Sequence, residues 1–87
     1  MPAREKSVRH RAIPAWMGSD RQRAIIAALV EARNAAGMTQ RDLAVKLGKQ
    51  PSFVGKVEAI ERNLSVLEFL EWAEALGADG ADLLRDL

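Results

Sequence analysis

The stretch Met38-Thr39-Gln40-Arg41-Asp42-Leu43-Ala44-Val45-Lys46-Leu47-Gly48, continued a few residues on by Ser52-Phe53-Val54-Gly55-Lys56-Val57-Glu58, organises the whole chain. Thr39 has a hydroxyl that can accept from the free N–H groups of a first helical turn, and Asp42, three residues on, suits the positive end of the helix dipole. Leu43 and Leu47 then share one face, four residues apart. Gly48 falls where the helix must stop, because a residue without Cβ enters the left-handed region at little cost. A second helix can start at Pro51, whose φ is already set and which has no N–H to lose. The stretch therefore predicts two short helices joined by a tight turn.

Working outward, residues 1–18 form a basic arm, with Pro2 and Pro14 breaking any helix and Gly18 preceding the first capping signal. The arm is either a disordered tail or a device that touches phosphates or a minor groove. Trp16 is expected to pack on the domain or on a second subunit, since an exposed indole forgoes burial. Residues 19–87 form one folded domain. A first helix starts at Ser19 or Asp20 and runs to Ala36, its inner stripe made by Ile26, Leu29, Val30 and Arg33. A fourth starts at Ser65, with Glu68 completing a capping box, and its inner face is expected to be Val66, Phe69, Leu70, Ala73 and Leu76. A last helix spans Asp79 or Gly80 to Arg85. No strand signal or internal repeat competes, so the fold class is all-α, a compact bundle of about five short helices.

Eighty-seven residues suffice for one small domain rather than for a large enclosed pocket. The absence of cysteine excludes disulfides and thiolate metal sites. His10 is the single histidine, and as it has no ligand-type neighbours it is read as a solvated side chain, with no metal or cofactor expected. Neither a membrane-length apolar run nor a signal-peptide core is visible, so a cytoplasmic location is expected. No nucleophile–base pair or carboxylate cluster emerges, which argues against an enzyme. The formal net charge of +1 conceals an uneven distribution. Residues 1–23 carry six basic and two acidic side chains, residues 24–57 five and two, and residues 58–87 two and eight. A polyanion would therefore approach the first two thirds of the chain.

The chain resembles the helix-turn-helix domain of the lambda-repressor and Cro class, the XRE family, over roughly Arg23 to Leu84. The matching features are Arg33 four residues before Gly37, the Thr39-Gln40 start, Leu43-Ala44, Leu47-Gly48, and the run Phe53-Val54-x-Lys56-Val57-Glu58. Glu61-Arg62-x-Leu64, Glu68-Phe69-Leu70, Ala73 and Ala75-Leu76-Gly77 extend the match. Singly these are common; in this order and spacing they are specific. The resemblance implies a lambda-repressor-like bundle whose third helix enters a major groove.

By the same resemblance, Gln40 and the free N–H groups behind it grip a phosphate, as a helix N-terminus favours. Arg41 and Lys49 join it among the expected DNA contacts. Base contacts fall to Gln50, Pro51, Ser52 and Lys56: Gln50 can pair with adenine, and Lys56 can donate to guanine or to a phosphate. Phe53 meets a thymine methyl or plugs the core, whereas Val54 and Val57 read as core. Arg62 is the expected phosphate contact beyond the third helix. Arg33 and Glu58 match a structural pair bridging helices 1 and 3.

Two positions depart from the family pattern. Pro51 stands where the family frequently has a base-reading Gln, a role Gln50 can take over. Ile60 stands where the family usually has Gly, and a β-branched residue in the left-handed conformation costs roughly 1–2 kcal/mol. The expectation is that helix 3 runs past Glu58, with Asn63 as the left-handed stop, and that Ile60 is released to a subunit contact. The implied function is a sequence-specific DNA-binding regulator, a small dimeric repressor on a two-fold related operator of double-stranded DNA. Leu83, Leu84 and Leu87 are candidates for the homodimer contact, with ordinary core packing as their rival, and Trp72 and Trp16 are possible aromatic anchors. The alternative is a protein-interaction adapter, or an antitoxin with a toxin partner, that reads bases weakly or not at all.

Overall fold

Local hydrogen bonds place the helix starts in a computed structural model that describes residues 18–85 and residue 87. Ser19 accepts from the Gln22 N–H at 3.1 Å and opens α1 (Asp20–Ala35). Thr39 and Asp42 form a reciprocal capping box at the head of α2 (Gln40–Leu47), each side chain accepting from the other's backbone N–H at 3.0 Å. Helix α3 (Pro51–Glu58) starts on Pro51 without a side-chain cap. Ser65 and Glu68 box the head of α4 (Val66–Ala75), and Asp79 caps α5 (Gly80–Leu84). Each capping oxygen satisfies a donor that has no partner inside its own helix. Among the described residues there are five helices and no strand, so the all-α expectation holds.

One core joins the first four helices. Ile26 and Leu29 of α1, Leu43 and Ala44 of α2, Val54 and Val57 of α3, and Trp72 and Ala73 of α4 are buried. Leu83 of α5 is half-buried against this cluster, whereas Leu84 and Leu87 remain exposed. Trp72 was a candidate subunit anchor; it is instead fully enclosed and packs on Phe53. The reason is its size: the apolar area of the indole is the largest α4 offers, and its burial offsets an indole N–H left without a hydrogen-bond partner among the described residues. Burying it rotates α4 about its axis, so the inner stripe is Phe69, Trp72, Ala73 and Leu76. Val66 and Leu70, expected inside, are left 79% and 51% exposed.

The end of α3 also departs from expectation. The helix stops at Glu58, and Ile60 has φ +61°, the only positive φ on a residue other than glycine among those described. Asn63 takes no such conformation; its Oδ1 accepts from the Leu64 N–H at 2.9 Å. The turn is a Schellman closure, with the Ile60 N–H donating to the Val57 carbonyl at 3.0 Å and the Glu61 N–H to the Lys56 carbonyl at 2.8 Å. The same pattern ends α2, where Gly48 has φ +68° and Lys49 donates back to Ala44. At Ile60 the closure is kept despite the side chain, which packs half-buried against the core. Two backbone hydrogen bonds and that burial offset a strain of about 1–2 kcal/mol.

Candidate nucleic-acid interface

Helices α2 and α3 are joined by three residues, Gly48 to Gln50, and Val54 and Val57 turn one side of α3 into the core. A helix with those positions inward presents residues 52 and 56 on the opposite side, four apart. Ser52 and Lys56 are exposed, as are Gln50 and Pro51 at the helix start and Lys49 just before it. Arg41 is exposed in the first turn of α2. The Thr39–Asp42 box occupies the amides of those two residues, which leaves the amides of Gln40 and Arg41 as the open donors of that helix end. Asp42 is held below its usual carboxylate pKa by the Thr39 backbone N–H and then by its hydroxyl, so its charge persists beside those donors.

A polar clamp ties the two helices to α1. Arg33 donates from Nε to Glu58 Oε2 at 2.7 Å and from Nη2 to Glu58 Oε1 at 3.0 Å, and its Nη1 reaches the Met38 carbonyl at 2.8 Å. Gln40 Nε2 adds a bond to Glu58 Oε1 at 2.8 Å. The Arg33 and Glu58 side chains are 12% and 8% exposed. The hydrogen bonds to Glu58 raise the Arg33 pKa against the opposing effect of burial. Glu58 thus joins the last turn of α3 to α1 and to the head of α2. Gln40 has one amide hydrogen committed to Glu58 and the other open.

On the far side of α3, the Phe53 ring lies 5.9 Å from Trp72, centroid to centroid. Two cations stand over the same ring, Arg62 at 4.6 Å and Lys49 at 5.4 Å. Phe53 is half-buried, part core and part surface. Arg62 is not an open cation: it donates from Nη1 and Nη2 to the two Glu68 oxygens at 3.0 Å each, and from Nη1 to the Asn63 carbonyl at 2.6 Å. Glu68 is pushed down to a pKa of about 2, first by Arg62 and then by the Ser65 N–H, so the pair stays ionised far into acid.

The structure therefore gathers Gln40, Arg41, Lys49, Gln50, Pro51, Ser52, Phe53 and Lys56 around α2 and the first turns of α3. Arg62 stands beside them but is engaged. Sequence reasoning missed Glu68 as its partner, having used that residue only as a cap. It also passed over Gly55, where an added Cβ would lie 3.5 Å from Gln40 Oε1, in ordinary contact. Trp16 and the basic arm up to residue 17 lie outside the described residues. No helix of the described residues is long and apolar enough to cross a membrane.

Comparison with known proteins agrees with this geometry. No curated protein matches the chain. Among solved structures, an XRE-family like protein from Pseudomonas syringae pv. tomato str. DC3000 is similar, at 45% identity and a TM-score of 0.73 over 76% of this chain and 80% of that one. A hypothetical transcription factor, NHTF, from Neisseria shares the fold at 24% identity and a TM-score of 0.69, over 86% and 84% of the two chains. The sequence profile described as "Helix-turn-helix" matches residues 29–83, from the middle of α1 into α5. With its capped α2, its outward α3 and the tight turn between them, the chain belongs to the XRE-type helix-turn-helix family.

Proposed function

We propose that this protein is a sequence-specific DNA-binding transcription regulator, a repressor that binds a two-fold related operator as a homodimer. One observation carries the reading: Val54 and Val57 are wholly buried while Gln50, Ser52 and Lys56 stand exposed on the same helix, with Lys49 and Arg41 beside them. A short helix held by its inner side and polar on its outer side can lie in a major groove and reach base edges. Gln40 and the open amides of α2 take a phosphate, and the basic residues of the arm, 1–18, add backbone contacts. No step of the proposed function is enzymatic or needs a cofactor.

One such unit reads few base pairs, so pairing two of them supplies affinity and specificity. Leu84 and Leu87 are each 42% exposed and available for that contact. A second reading, a protein-interaction adapter or antitoxin, draws on the exposed stripe of α4, where Leu67 is 64% exposed between Val66 and Leu70. Binding measured on duplexes selected from host genomic fragments separates the two. Lys56→Ala and Gln50→Ala should each lower affinity for selected duplexes by about tenfold. Affinity should also fall steeply with salt, through release of counterions from contacted phosphates. Affinity unchanged by either substitution on every fragment eliminates groove reading.

A further inference from the structure

We propose that Arg62 is a positioning residue for sequence reading: clamped by Glu68, it holds the Phe53 ring and so fixes the first turn of α3, in place of the side-chain cap this helix lacks. The inference rests on the DNA-binding reading above and assigns Arg62 a different task from donating to a phosphate.

Four of the five helices have a side-chain oxygen at their start, from Ser19, Thr39, Ser65 and Asp79. The N-cap position of α3 is Gln50, whose side chain makes no capping bond. Its first turn is the one that must meet base edges, and without a cap its end would fray. Phe53 supplies the missing restraint. Its N–H closes on the Gln50 carbonyl at 2.9 Å, and its ring is set between Trp72 in the core and the guanidinium of Arg62 outside. Arg62 is itself held by three hydrogen bonds, two of them to Glu68, and Glu68 is held by the Ser65 N–H at 2.9 Å. The restraint therefore runs from the capping box of α4, through Glu68 and Arg62, to the ring of Phe53. A planar fork paired with a carboxylate can stack on an aromatic face and keep its orientation; a lysine cannot reproduce that geometry. The arrangement also leaves the Gln50 amide uncommitted to its own helix and open to a base.

An Arg paired on both Nη atoms with a carboxylate is also a poor ligand for a polyanion, since its charge is locally neutralised. Lys49, over the same ring, also feels the Glu68 charge but, among the described residues, makes no hydrogen bond or ion pair with it, and is the better phosphate donor of the two.

The test compares Arg62→Lys, Arg62→Met and Glu68→Gln in the full chain. Affinity is measured on a selected duplex and on its scrambled counterpart over a series of salt concentrations, with circular dichroism to verify helix content. Glu68→Gln keeps an acceptor for the Ser65 cap. Both Arg62 variants should lower the preference for the selected duplex by about tenfold while leaving affinity for the scrambled duplex and the salt dependence nearly unchanged. Glu68→Gln should act in the same direction and less strongly. The proposal is overturned if Arg62→Lys behaves as wild type, or if Arg62→Met loses affinity equally on both duplexes with a salt slope lower by about one phosphate contact. Should Arg62→Met fail to fold, Arg62→Lys carries the same comparison. A wild-type chain that prefers no duplex would sink the DNA-binding reading together with this one, whereas discrimination retained in Arg62→Lys removes the positioning role alone.

Discussion

Helices α2–α3 and α4–α5 share one core yet turn opposite kinds of surface outward. The first pair shows Arg41, Lys49, Gln50, Ser52 and Lys56, with Val45 of α2 its one large apolar exception at 73% exposed, and its polar links run inward through Arg33, Glu58 and Gln40. On the second pair, Val66, Leu67 and Leu70 are 79%, 64% and 51% exposed, with the acidic side chains of Glu71 and Glu74 on the same helix. Under the proposed function the contrast separates two tasks: a cationic polar face suits a polyanion, and an apolar face among carboxylates suits another protein surface. The two regions meet where α2 packs on α4, and the Phe53–Trp72 contact and the Arg62–Glu68 pair extend that junction.

The largest expected effect comes from breaking the inward links of the first region. Glu58→Ala strands the Arg33 guanidinium, which is only 12% exposed, and removes the acceptor of Gln40. A loss of about 3–5 kcal/mol is expected in urea unfolding. DNA binding should fall with the fold rather than independently of it, and a variant of unchanged stability would show that the clamp is dispensable.

The second region is probed by Leu84→Lys and by Leu67→Lys, neither of which touches the proposed DNA face. If the exposed 42% of Leu84 is covered in the homodimer, its loss removes about 0.6–1.3 kcal/mol of apolar burial per copy. Sedimentation should then show dissociation at concentrations where wild type is paired, with the helix content of the monomer retained by circular dichroism. The same outcome for Leu67→Lys alone would move the interface from α5 to α4.

A smaller effect is expected at the junction between the two regions. The folded-state pKa of Glu68 is lowered to about 2 from an ordinary value near 4.5, so its contribution is complete above the unfolded value and is lost as pH falls through the folded one. Stability measured by unfolding should therefore decline between about pH 4.5 and pH 2 with a slope that Glu68→Gln flattens. An unaltered acid limb in that variant would mean that Arg62 and Glu68 do not hold each other in solution.

The smallest effect is expected at the end of α3. Ile60→Gly relieves about 1–2 kcal/mol of left-handed strain but gives up the packing of a half-buried side chain, so a net change below about 1 kcal/mol is expected. A loss well above that would show that burial of Ile60 outweighs its backbone strain by more than the geometry implies.

What residue order determined alone were the features with short-range causes. Ser19, Thr39, Ser65 and Asp79 cap their helices through donors two or three residues away, and Gly48 turns the chain because its own φ is cheap to reverse, so these positions were legible without neighbours. The spacing of Val54 and Val57 against Ser52 and Lys56 likewise announced which side of α3 faces out. Three matters were decided only by tertiary structure. The α4 sequence contains two overlapping apolar stripes, and enclosing Trp72 selected one and exposed the other. Ile60 reads locally as a residue that refuses a left-handed turn; backbone closure and burial together exceed its preference. Arg62 reads as a free cation until α4 brings Glu68 to it and α3 brings the ring of Phe53 beneath it. Local rules carry energies of about 1 kcal/mol, and packing overrides them wherever a large side chain or a desolvated pair is at stake.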